Sequence, residues 1–170
     1  MRQSFCPICN SICIHPSNLD KDLLILGGFP EREDLLQGRP FAINSNFMTG
    51  GKILKKELEQ VGASLQDFAL GYLWQHEPNK NEECFTSGYE HALEIAKGKK
   101  AILLVGADVV EVFTTFKVSD VSGLQVDSHI LSAPIIYAVV NPSLAQHRAL
   151  GEVRHGITKF VARLEKEGLI

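Results

Sequence analysis

The chain has no apolar run approaching the roughly 20 residues that cross a bilayer, so no membrane span is expected. Its first residues, Met1 to Cys6, contain no apolar core of a secretory leader, which points to a cytoplasmic or nucleoid setting. Positive charge is also scarce. The 17 Lys and Arg are outnumbered by 20 Asp and Glu, and the net charge is −3. A module that coats nucleic acid carries a surplus of basic residues, and that class is excluded. Any nucleic-acid contact must be local, made by a few backbone amides and basic side chains. Its non-specific component must be weak, because phosphate neutralisation supplies most of that affinity. Internal repeats and low-complexity tracts are missing too. What remains is 170 residues, 45% apolar and 22% charged, enough for one domain with a proper core.

Four short segments rich in Val, Ile and Leu read as buried strands, at residues 22–26, 68–74, 101–105 and 135–140. Each is followed by Gly, Pro or Asn and then by a helical pattern. Helices are expected over 51–61, 87–97, 107–116 and 149–167, the second capped by Thr86 or Ser87 and stopped by Gly98. Strands alternating with helices predict an α/β fold. The expected form is a three-layer α/β/α sandwich around a central, mainly parallel four-stranded sheet, in one domain over residues 1–170. Ligands of such sheets sit beyond the carboxyl ends of the strands. The turns at 27–30 and 141–143 follow the first and last strands, so two distant loops are expected to meet on one rim.

Three segments in fixed order carry the candidate chemistry: Leu24-Ile-Leu-Gly-Gly-Phe-Pro30, Gly38-Arg-Pro-Phe41 and Val139-Val-Asn-Pro-Ser143. Together they resemble the uracil-DNA glycosylase superfamily, most closely its iron–sulfur-containing branch (family 4-like). The resemblance runs from Cys6 to the last helix and implies that family's fold. It aligns the turn at 27–30 with the family's Gly-Glu-Ala-Pro-Gly. Gly28 and Phe29 then stand where a polar residue positions water or stabilises the charged sugar. Glu31, Glu33 and Asp34 are the nearby acids that could take its place, and Glu33-Asp34 matches the Glu-Asp that follows the family's turn. The match of residues 38–41 to Gly-x-Pro-Phe implies that Phe41 is the ring on which a flipped base stacks.

The same alignment puts Gly71 where the family has the Asn that reads the uracil edge, with Asn44 and Asn46 as nearby amides. Asn141-Pro-Ser143 aligns with the family's His-Pro-Ser, so Asn141 is the implied donor to the base carbonyl. Pro30, Pro142, Ser143, Leu144, Gln146, His147 and Arg148 are implied to face DNA, with Leu144 as the wedge. Contacts of this kind to phosphates position the duplex without reading its sequence.

The four cysteines are Cys6, Cys9, Cys13 and Cys84. In an intracellular chain a Cys-x2-Cys start argues for a metal over a disulfide. Residues 1–20 therefore read as a Cys-rich metal-binding segment. The resemblance implies a pair of N-terminal cysteines and two beside the second strand. Cys84 matches the last of these, and no Cys lies near residues 74–75, where the third belongs. With Cys13 in its place, four thiolates suit a [4Fe–4S] cluster. Zinc is the alternative, held by four Cys or by three with His15.

The expectation is a uracil-DNA glycosylase-like, DNA-binding protein of repair or replication, monomeric on its own. It contacts DNA and repair or replication proteins, and it is weakly active or silent on uracil. The alternative is an active N-glycosylase that flips and excises uracil or another modified base.

Overall fold

The four apolar segments form one parallel sheet in the computed structural model, which describes residues 4–143 and 150–170. The chain opens with a hairpin of two-residue strands, β1 (Ser4–Phe5) and β2 (Ile12–Cys13), paired antiparallel. Then come β3 (Leu23–Gly27), α1 (Arg32–Gln37), α2 (Gly50–Gln60), a 3-10 turn (Leu65–Asp67) and β4 (Ala69–Tyr72). The second half contains α3 (Glu82–Ala96), β5 (Ala101–Val105), α4 (Ala107–Phe113), α5 (Val118–Val121), β6 (Ile135–Val139) and α6 (Leu150–Lys166). The sheet order is β4-β3-β5-β6, and every neighbouring pair is parallel. The chain leaves β3 for β4 on one side and then returns to β5 on the other. That reversal opens a crevice at the carboxyl ends of β3 and β5.

Helices cover both faces of the sheet, so its strands read as continuous apolar runs without alternation. On one face Leu23, Ile25, Leu103 and Val139 pack with Leu54 and Leu58 of α2 and with Val153, Ile157 and Phe160 of α6. On the other, Leu24, Leu26, Ile102 and Leu104 meet Ala92 of α3 and Val109, Val110 and Phe113 of α4. This is the three-layer α/β/α arrangement expected from the sequence. The outer strands do not present open edges. Ser17 bridges Leu70 and Ile14 N donates to Gln75 O beside β4, while Gln125 bridges Tyr137 of β6.

Element ends differ from expectation for local reasons. α3 starts at Glu82 because Asn81 Oδ1 accepts from Glu83 N and Cys84 N, and two acids then occupy the first turn. Thr86 and Ser87 lie inside that helix, and Gly98 follows its end at φ +75°. α4 stops at Phe113: Thr114 Oγ1 donates back to Val110 O and accepts from Phe116 N. Among the described residues, no helix is long and apolar enough to cross a membrane.

Candidate functional site

The crevice at the strand ends is a small, solvent-open cleft of about 70 Å³, below the roughly 300–1,000 Å³ of typical small-molecule sites. Gly27, Gly28, Phe29 and Glu31 line it from the loop after β3, Tyr72 from β4 and Val105 from β5. Phe41, Gly50, Asn141, Pro142 and Ser143 complete it. The three sequence segments therefore meet in one place. Gly27 makes that possible: a Cβ there would stand 2.7 Å from Tyr72 Cε1 and 3.1 Å from Phe41 Cζ. The Phe41 and Tyr72 rings lie 4.8 Å apart, tilted by 36°. Phe41 is held at φ +50°, a conformation rare for a bulky residue. Its N–H donates to Tyr72 Oη at 3.1 Å, so the loop cannot relax without breaking the network beneath it.

The three candidate acids have separate fates. Asp34 is 2% exposed and accepts from Ala42 N at 2.7 Å, Glu31 N at 2.8 Å and Tyr72 Oη at 2.6 Å. It is a clamp on the loop, and burial, which outweighs these bonds, raises its pKa. Burial first, then the Asp34 charge, holds the Tyr72 phenol well above its ordinary value, so Tyr72 stays a donor. Glu33 turns away to Gln37, whose Nε2 donates at 2.5 Å, and that bond lowers its pKa. Glu31 lines the cleft. Its Oε1 accepts from Gly50 N at 3.0 Å, and burial followed by Asp34 raises its pKa.

Asn141 is oriented by its own turn. Its Oδ1 accepts from Ser143 N at 3.0 Å and Ser143 Oγ at 2.8 Å. A backbone N–H can only donate, so the amide oxygen is fixed there and Nδ2 is the atom left to donate elsewhere. Gly106 lies beside Asn141 at φ +99°, a left-handed backbone conformation that favours glycine.

Gly71 does not face the cleft. A Cβ on it would point at Ile95 Cδ1, 2.7 Å away, on the α3 side of the sheet. The neighbouring Tyr72 takes the cleft side, because successive strand residues alternate faces. Aligning β4 one residue further along would have found it. Pro30 is buried but does not line the cleft, and neither Asn44 nor Asn46 does. Asn44 Oδ1 caps Asn46 N within its own loop. Leu144, Gln146, His147 and Arg148 lie outside the described residues.

A second cluster sits beside the hairpin. The ligating atoms of Cys6, Cys9, Cys84 and His76 all lie within 4.8 Å of one another and could bind a metal ion. Cys6 and Cys9 come from the β1–β2 turn, where Asn10 N donates to Cys6 O and Asn10 takes φ +62°. Cys84 comes from the first turn of α3, and His76 from the segment after β4. Hydrogen bonding to Ser11, side chain first, pulls the Cys9 thiol down to about 6, and burial pushes Cys84 up to about 11. Cys13 packs in the same apolar cluster but stands outside the converging four. Burial and the neighbouring thiols push it up to about 11. His15 is engaged elsewhere, with Ser4 Oγ at 2.7 Å from its Nε2. The sequence signal for His76 is slight: a ligand-type residue one position past the place where a third Cys belongs.

Neither a family model nor a curated protein matches the chain.

Proposed function

We propose that the chain is a uracil-DNA glycosylase-like, DNA-binding protein of repair or replication in which excision of uracil is slow or absent. The observation that carries this reading is the convergence of Gly27, Gly28, Phe29, Glu31, Phe41 and residues 141–143 on one cleft at the strand ends. A base flipped into it would stack on Phe41, and Asn141 Nδ2 would donate to its carbonyl. Slow turnover follows from Tyr72. Its hydroxyl is already committed to Asp34 and to Phe41 N, so no β4 side chain is left to read the base edge. A site lacking one preorganised polar group loses about 10²–10³ in rate.

Glu31 favours the second reading, an active N-glycosylase. It is the one acid of the three that lines the cleft, and its carboxylate could orient water or stabilise the sugar cation. The test is excision from single- and double-stranded DNA carrying uracil or other modified bases, with wild type and Glu31→Gln. DNA binding without turnover supports the first reading. Turnover abolished by Glu31→Gln establishes the second. Failure to bind DNA of any kind removes both. The resemblance also implies a [4Fe–4S] cluster, with zinc as its alternative, in the thiol cluster.

A further inference from the structure

We propose that the thiol cluster is a site for a single tetrahedral ion, zinc in the cell, with His76 as its fourth ligand and Cys13 excluded. This does not depend on the glycosylase reading. Two sulfurs at about 2.3 Å from one tetrahedral ion lie about 3.8 Å apart, and a sulfur and a nitrogen at about 2.0 Å lie about 3.5 Å apart. Cys6 Sγ and Cys84 Sγ are 3.9 Å apart, and Cys9 Sγ and His76 Nε2 are 3.6 Å apart. These are two opposite edges of one tetrahedron and include all four ligands. A [4Fe–4S] cube gives each thiolate its own iron at an outward corner, so its ligands must stand farther apart than ligands sharing one ion. Four ligating atoms within 4.8 Å of one another do not fit it.

The surroundings prepare His76 for this role. It is 4% exposed, and its Nδ1 lies 2.7 Å from Glu77 O. A backbone carbonyl only accepts, so Nδ1 donates to it, and the Nε2 edge of the ring faces Cys9 Sγ. Metal-ligating histidines are oriented by the same kind of outer partner. Asn79 Nδ2 points at Cys84 Sγ from 3.7 Å and Ser11 Oγ lies 3.2 Å from Cys9 Sγ, so the sulfurs have outer partners as well. Three Cys and one His form a standard set for structural zinc.

The test uses the full chain purified under argon, with zinc, iron and sulfide measured per chain and X-ray absorption recorded at the metal edge. One zinc with about three sulfur neighbours and one nitrogen neighbour is expected. Cys13→Ser should keep the metal. His76→Ala should weaken binding by more than the roughly 10–100-fold typical of losing an outer partner, and His76→Cys should restore it. If His76→Ala does not fold, the wild-type absorption spectrum and Cys13→Ser still decide. A brown protein with about four irons and sulfides per chain would overturn the proposal. So would loss of metal in Cys13→Ser, or a folded chain that takes up neither zinc nor cobalt.

Discussion

At Tyr72 one phenol ties its strand to two other parts of the chain: it donates to Asp34 of α1 and accepts from Phe41 N, and its ring packs tilted against that of Phe41. Tyr72→Phe keeps the ring and leaves a buried carboxylate oxygen and a buried N–H short of a partner. Each such loss costs about 1–3 kcal/mol. The melting temperature of the variant should fall by several degrees, at about 2–4 °C per kcal/mol for a chain of this size. An unchanged melting curve would mean that the network is not holding the loop. Glu31 gives a pH signature. Its carboxyl is raised above 4.5 in the folded chain, so the folded state holds that proton more tightly than the unfolded one. The stability it contributes is complete below about 4.5 and is lost as pH rises through the raised folded value. Denaturant titrations at stepped pH should show stability falling across that window, and Glu31→Gln should flatten the fall. A wild-type profile no steeper than that of the variant would refute the assignment.

Among the elements, the β1–β2 hairpin depends most on its surroundings. Two-residue strands are far below the length at which a hairpin stands alone. On the single-ion reading, chelation should loosen it while the sheet persists. Trp74, the one tryptophan in the chain, packs against the thiol cluster and lies 5.9 Å edge-on from His76. Its fluorescence should change on chelator addition while far-ultraviolet circular dichroism changes little. No fluorescence change on metal loss would place the ion elsewhere. The same contrast explains what was legible in the sequence. β3, β5 and β6 could be read because Leu23–Gly27, Ala101–Val105 and Ile135–Val139 are dense apolar runs closed by turn residues. The hairpin and α1 could not. Two residues carry no periodicity, and α1 is fixed by the tertiary bonds of Asp34 to Ala42 and Tyr72. The cleft was legible as motifs, but the side on which Gly71 or Tyr72 falls depends on β4's exact register. A metal-binding role for His76 requires knowing that Ile14 N donates to Gln75 O, which lays this segment beside the hairpin, while residues 73 and 74 are tied to the turn after β3 through Leu73 N to Gly27 O and Trp74 N to Gly28 O.

In the molecule as a whole, those two backbone bonds make the cleft turn and the segment leading to His76 neighbours on one rim. Cleft and thiol cluster are thus supported by a common piece of backbone, three residues separating Tyr72 from His76. The hairpin also leads directly into residues 14–17, the segment that bridges β4 at Leu70 and bonds to Gln75 O just beyond it. β4 is an outer strand, and an uncovered outer strand is a template for pairing with another chain. If metal loss frees that segment, the damage need not stop at local stability. The exposed β4 could recruit a second copy of the protein, so chelated samples should scatter light in a concentration-dependent way while loaded ones stay clear. The thiol cluster would then serve colloidal behaviour as well as fold, as a latch that keeps the sheet from growing beyond its own chain.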